Sequence, residues 1–107
     1  MDITGKNFAL RLIGESLLRS KITISICLPN GHVLDRLFLT KSETQDIINH
    51  IQSGTETDVN KGDVHLSLSV SGQVVNLSFN AYTIERKDTF SLEELSTALQ
   101  TLFNGLP

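Results

Sequence analysis

Apolar and polar residues alternate along two stretches of the chain, and each alternation is broken by a turn signal. From Val64 to Val70, Val64, Leu66, Leu68 and Val70 are interleaved with His65, Ser67 and Ser69. Beyond Ser71-Gly72, Val75, Leu77 and Phe79 are interleaved with Asn76 and Ser78. A period of two puts each set on one face of a strand, so the segment predicts a β-hairpin. With Ser71 and Gly72 as a two-residue loop, Leu68 faces Val75, Leu66 faces Leu77 and Val64 faces Phe79. All three pairs are apolar on both sides, and a one-residue slip would turn a strand over and destroy the match.

A second hairpin is predicted upstream, from Ile22, Ile24, Ile26 and Leu28, through Pro29-Asn30-Gly31-His32, to a run from Val33 to Leu39. Asn-Gly suits the two central positions of a type I′ turn. In that register Leu28 meets Val33, Ile24 meets Leu37 and Ile22 meets Leu39, but Ile26 meets Asp35. Leu34 and Phe38 fall on the opposite face with Cys27, so the hairpin is partly apolar on both sides. Either a bulge shifts the register near Asp35, or a helix or a partner covers the second face.

A helix signal follows each hairpin. In the first, Thr40 and Glu43 have cap spacing, Thr44, Ile47, Ile48 and Ile51 form an apolar face, and Gly54 is placed to stop it. In the second, Leu92, Leu95, Leu99, Leu102, Phe103 and Leu106 lie on one stripe. Ser91 and Glu94 have capping-box spacing there, Phe90 and Leu95 fit a hydrophobic staple, and Gly105 ends the run. Thr55 to Asp63 is polar and aperiodic and is expected to be an exposed loop. Asn7 to Ser20 supports two readings. Ala9, Leu10, Ile13 and Leu17 suit a helix, whereas Phe8, Leu10 and Leu12 suit a short strand; helix is favoured because the pattern runs past Gly14 to Leu17 and Leu18.

The expected class is therefore α+β, an antiparallel sheet from two β-hairpins with helices, in the order α-β-β-α-β-β-α. Residues 1–107 are expected to form a single domain, since a chain of this length supports one core. Residues 21 to 53 and 63 to 104 are alike in pattern but not in residue identity, and are not read as a repeat.

Hydrophobic content of 39% and charged content of 20% argue for an ordinary globular chain. The nine Lys and Arg residues are dispersed, the formal charge is −3, and Arg86-Lys87 lies between Glu85 and Asp88 as a solvated charged turn. That distribution argues against a nucleic-acid partner. With Cys27 as its one cysteine, the chain has neither an intramolecular disulfide nor a Cys-based zinc site. No apolar run approaches the ~20 residues of a membrane span and no signal peptide is recognised, so a cytoplasmic location is expected.

Catalytic chemistry finds little support. His32, His50 and His65 lack the spacing that sets two ligands on one helical face, which argues against a metal. His65 is expected opposite Ser78. No G-x-S-x-G elbow occurs, Cys27 sits within a predicted strand as a packing residue, and Glu93 and Glu94 complement a helix dipole. The isolated glycines form no phosphate loop, so no cofactor and no catalytic residue are assigned.

Val64 to Leu68 with its turn, Val74 to Leu77, and the closing run from Ser91 through Ala98-Leu99 to Phe103 resemble the last hairpin and final helix of class I type III secretion chaperones of Gram-negative bacteria. Leu10 to Leu18 with Gly14 is similar to that family's first, leucine-rich helix. The family's fold, α-β-β-β-α-β-β-α, has one more strand than is placed here. The resemblance implies a homodimer that holds a segment of another protein along apolar patches, without ATP.

The leading expectation is a non-enzymatic protein-binding module, possible as a homodimer, with Leu34, Phe38 and the neighbouring Arg36 as partner-binding residues. One alternative is an immunity or anti-defence protein that inhibits a folded enzyme, for which a small acidic α+β domain is electrostatically suited. A second is a single-stranded nucleic-acid-binding domain, with Phe38 near Arg36 as its stacking feature.

Overall fold

The computed structural model describes residues 1–15 and 20–107. The chain runs β1 (Asp2–Thr4), β2 (Ala9–Glu15), β3 (Lys21–Cys27), β4 (Val33–Thr40), α1 (Lys41–Ser53), β5 (Thr57–Lys61), β6 (Val64–Ser71), β7 (Val74–Ala81), β8 (Ile84–Ser91) and α2 (Leu92–Asn104). The α+β class holds, but the order is four strands and a helix, twice. Each quartet is an antiparallel meander, β1-β2-β3-β4 in sheet A and β5-β6-β7-β8 in sheet B. The topology repeats although the residues do not, because a meander needs only alternating polarity and turns, which many sequences supply.

Three segments depart from expectation. Asn7 to Ser20 does not open as a helix: Ala9–Glu15 is strand β2. Leu10 and Leu12 are fully buried opposite Ile26 and Ile24, while Arg11 and Ile13 face outward. The period of two carried by Phe8, Leu10 and Leu12 prevails, since a strand can place all three on the core face; residues 16–19 of the expected helix lie outside the described residues. The expected loop from Thr55 to Asp63 contains β5, an edge strand that turns only Val59 into the core and so leaves almost no hydrophobic pattern. The expected charged turn at Arg86-Lys87 is the middle of β8, with Arg86 opposite Phe79 and Lys87 opposite Ser78. An edge strand tolerates charges that a central one would not.

The first hairpin keeps the expected register at Ile22 with Leu39, Ile24 with Leu37 and Ile26 with Asp35, then slips so that Cys27, not Leu28, faces Val33. Leu34 is the extra residue of this bulge. The turn is not type I′, since Gly31 alone takes a positive φ of 89°. Gly31 N–H donates to the Leu28 carbonyl at 2.8 Å and Leu28 N–H to the His32 carbonyl at 2.9 Å. This longer loop absorbs the residue that a two-residue turn would have forced into the strands.

The second hairpin is shifted by two residues. Its loop is Gly72-Gln73, pairing Leu68 with Leu77, Leu66 with Phe79 and Val64 with Ala81. A shift of two preserves both faces, so the polarity pattern could not exclude it. Sheet B has three two-residue loops, Gly62-Asp63, Gly72-Gln73 and Tyr82-Thr83, and the first residue of each has positive φ, at 64°, 60° and 59°.

Both helices start where expected. Thr40 and Glu43 form a reciprocal capping box, Thr44, Ile47, Ile48 and Ile51 are buried, and Gly54 closes α1 at φ 72°. Ser91 accepts a hydrogen bond from the Glu94 N–H at 3.2 Å, and Leu95, Ala98 and Leu99 are the buried face of α2. Helix α1 packs on β3 and β4 and also on β5 and β6; α2 packs on β2 and on β7 and β8; and the helices pack on each other. Each therefore bridges both sheets, and the apolar residues merge into one cluster.

A polar clamp joins the sheets on another side. The buried Asp88 carboxylate, on the core side of edge strand β8, accepts hydrogen bonds from the backbone N–H groups of Lys6 at 3.0 Å, Asn7 at 2.7 Å, Phe8 at 3.1 Å and Thr89 at 2.7 Å. The Asn7 side-chain amide donates to the Lys87 carbonyl at 3.1 Å, and the Phe8 and Phe90 rings meet at 5.7 Å. Burial by itself would raise the Asp88 pKa, but the four N–H donors outweigh it and hold the carboxyl below its ordinary value. Gly5 fits because a Cβ there would collide with the Asp88 carboxylate and the Phe90 ring.

Three outcomes are expected. Asp88→Ala should cost about 3 kcal/mol at neutral pH, because it leaves three loop N–H groups without their acceptor, and urea titration checks this. Since the folded pKa is depressed, the stabilisation is complete above the unfolded value of ~3.9 and fades as pH falls below it. The wild-type and Asp88→Ala unfolding midpoints should therefore converge in acid. Gly5→Ala should destabilise to a similar degree at neutral pH.

Candidate functional site

In sheet A one face is buried by the helices and the other faces outward, exposed at Ile13, Arg36 and Phe38 but closed over Ser25. Register sets two rows across the open face, Ile13-Thr23-Phe38 and Arg11-Ser25-Arg36. Phe38 is 47% exposed and Ile13 50%, an apolar pair on an otherwise polar surface. Lys21 Nζ lies 4.4 Å from the Phe38 ring centroid and 3.5 Å from Glu15 Oε2, so a cation covers part of the ring. Arg11 pairs with Asp2 at 3.2 Å, whereas Arg36 has no ion-pair partner among the described residues.

Phe38 and Arg36 are thus adjacent and exposed, as the alternation of β4 demands. Leu34 is elsewhere. At the bulge it is half-buried against the core and lines a pocket of about 240 Å³ with Asn7, Phe8, Leu28 and the β8 residues Glu85, Arg86 and Lys87. Beside it, Asp35 on β4 meets Arg86 on β8 at 3.5 Å, an ion pair across the seam between the sheets. The sequence pattern grouped Leu34 with Phe38 because an unbulged strand would put them on one face; the extra residue breaks that parity.

The open face of sheet B is a cleft of about 500 Å³ with a floor of small polar side chains, Ser67, Ser69, Asn76, Ser78 and Thr89. Lys6 and Lys87 stand on one rim, Glu56 and Asp58 on the other. His65 lies opposite Asn80, not Ser78, owing to the two-residue shift. Pairing of β5 with β6 brings Asp58, His65 and Ser67 together, which the sequence could not reveal while β5 was read as a loop. Ser67 Oγ donates to Asp58 Oδ1 at 2.7 Å and lies 3.3 Å from His65 Nε2, and Asp58 Oδ1 is 3.6 Å from that same nitrogen.

These three residue types do not make a charge-relay triad. Such a triad places the carboxylate on one ring nitrogen and the nucleophile on the other, so that the ring can pass a proton between them. Here both oxygens address Nε2, and the hydroxyl gives its hydrogen to the carboxylate. Cys27 is buried in β3, and Glu93 and Glu94 lie in the first turn of α2 as dipole partners. Among the described residues no three His, Cys, Asp or Glu side chains gather as metal ligands, and no helix is long and apolar enough to cross a membrane.

The geometry offers surfaces for contact. Comparison with known proteins bears on what kind. A family profile described as the UBX domain matches residues 17–107, from just after β2 through α2. No curated protein and no solved structure matches the chain. The match overturns the resemblance to type III secretion chaperones, and strand β2 stands at Ala9–Glu15, where that family's leucine-rich first helix would begin. UBX domains are ubiquitin-like protein-interaction modules with a β-grasp fold; this chain departs from that fold in its strand order, with every pairing antiparallel and divided between two meanders. A match over most of the residues, from β3 through both helices, means that the chain belongs to the UBX domain family.

Proposed function

We propose that the chain is a non-catalytic adaptor that docks on an AAA ATPase such as p97/Cdc48, the kind of partner UBX domains bind, using the open face of sheet A along β4. The observation that carries the location is Phe38, an aromatic ring 47% exposed on a strand held by both a ladder and a cation contact. Exposed aromatics on rigid elements lose little entropy on contact, and with arginine they are the residue types enriched at binding hot spots. Arg36, one row away, supplies a donor fork for a carboxylate on the partner. Leu34 stands at the margin of this surface, in the seam beside β8.

Phe38→Ser and Arg36→Ser should each weaken binding to hexameric p97/Cdc48 by about tenfold, or about 1.4 kcal/mol, in calorimetric titration. Thermal midpoints should stay within about 2 °C of wild type, since neither side chain lies in the core. Leu34→Ser should lower both affinity and midpoint. Unfolding by Phe38→Ser would make that ring a core residue, and unchanged affinity in both outer-face variants would move the contact elsewhere.

A further inference from the structure

We infer that the β7–β8 turn is an anchor for the partner protein: Tyr82 and Ile84 enter an apolar pocket whose rim carries a cation facing Asp63. This rests on the protein-binding reading and names the residues that do the holding. The three two-residue loops of sheet B fall ten residues apart and share one backbone form, with positive φ at the first loop residue. Glycine takes that position at 62 and 72. At 82 it is a tyrosine, at φ 59°, the one non-glycine residue with positive φ among the described residues.

A bulky side chain is disfavoured in the left-handed region, and such strain persists where the surroundings enforce it. Tyr82 gains nothing from the core in exchange. Its side chain is 77% exposed, and its N–H donates to the Asp63 carbonyl at 3.0 Å, which locks this turn to the Gly62-Asp63 turn beside it. Any residue with an N–H would make that bond, so the bond does not account for the tyrosine ring.

The strand ends beside this turn are apolar. Val64, Ala81 and Ile84 form a row across β6, β7 and β8, in which Ala81 is buried, Val64 half-buried and Ile84 52% exposed. The core face of sheet B thus ends in an exposed aliphatic side chain, Ile84, two residues from the exposed Tyr82. Asp63 has no ion-pair partner among the described residues. A partner that fits this tip has a cavity for an aromatic ring and a branched aliphatic chain, with a Lys or Arg at the edge. Along β8 the tip continues through Glu85 and Arg86 to Leu34 in the seam, so one footprint can span both. A ring fixed on a two-residue turn costs little entropy to bind.

The test is calorimetric titration of the full chain with hexameric p97/Cdc48, together with thermal unfolding, for wild type, Tyr82→Gly, Tyr82→Phe and Ile84→Ser. Tyr82→Gly should raise the midpoint by about 4 °C, by relieving the backbone, and weaken binding at least tenfold. Ile84→Ser should weaken binding as well, and Tyr82→Phe should retain it. Unchanged affinity in Tyr82→Gly, with the wild type binding, overturns the anchor and leaves the adaptor reading standing. A lowered midpoint would make Tyr82 a structural residue and also overturn it. Absence of binding by the wild type overturns the adaptor reading, and the anchor with it.

Discussion

A carboxylate that gathers four backbone N–H groups is the hinge on which the arrangement of the two sheets turns. Asp88 projects from edge strand β8 toward the core side, where an apolar residue would ordinarily sit, and reaches instead to the Gly5–Phe8 connection of the other sheet. Three consecutive N–H groups there would otherwise need water. Satisfying them from β8 draws the loop onto that strand, where the Asn7 side chain also donates to the Lys87 carbonyl. Phe8 follows its own N–H into the core, where it meets Phe90. The polar clamp and the apolar contact thus support each other, and each would be weak alone.

Other links repeat the theme of joining one quartet to the other through polar groups at their margins. Lys61 on β5 meets Glu43 of the α1 capping box at 2.6 Å. The carbonyl of Pro107 accepts from Ser20 and from Lys41, tying the C-terminus to the first quartet and its helix. The helices do the remaining work by burying one apolar stripe against both sheets. Exposed apolar groups lie on the open face of sheet A, at Ile13 and Phe38, and at the end of sheet B, at Tyr82 and Ile84, so the places left for a partner are those the fold does not itself consume.

Local signals in the sequence resolved well where one physical rule acted alone. Thr40-Glu43 and Ser91-Glu94 are caps because side-chain oxygens at that spacing reach orphan N–H groups. The Ile22 and Ile24 pairings with Leu39 and Leu37 follow because the face they share must be apolar. Where two rules competed, the sequence was insufficient. Leu10 fits a helix stripe and a strand face equally, and only the presence of β3 beside it decides. Ser71-Gly72 and Gly72-Gln73 give hairpins of identical polarity, and the choice rests on which residue must take positive φ. Strands β5 and β8 carried almost no hydrophobic signal because edge strands are half solvated. The candidate site inherited these limits: Phe38 and Arg36 stand where alternation puts them, the bulge separates Leu34 from them, and nothing in residue type alone could disclose the conformation of Tyr82.

Because both sheets are meanders, each strand finds its partner a few residues away, and no ladder has to wait for a distant part of the chain. Contacts of short sequence separation form quickly, so each quartet is equipped to zip up on its own, by successive hairpins. The slow steps are then those that cross from one half to the other, the seating of the helices and the capture of the Gly5–Phe8 loop by Asp88. On a ribosome the first half would emerge with its own sheet complete but with one side of α1 still bare, and it would stay in that state until β8, four strands downstream of α1, arrived to receive the loop.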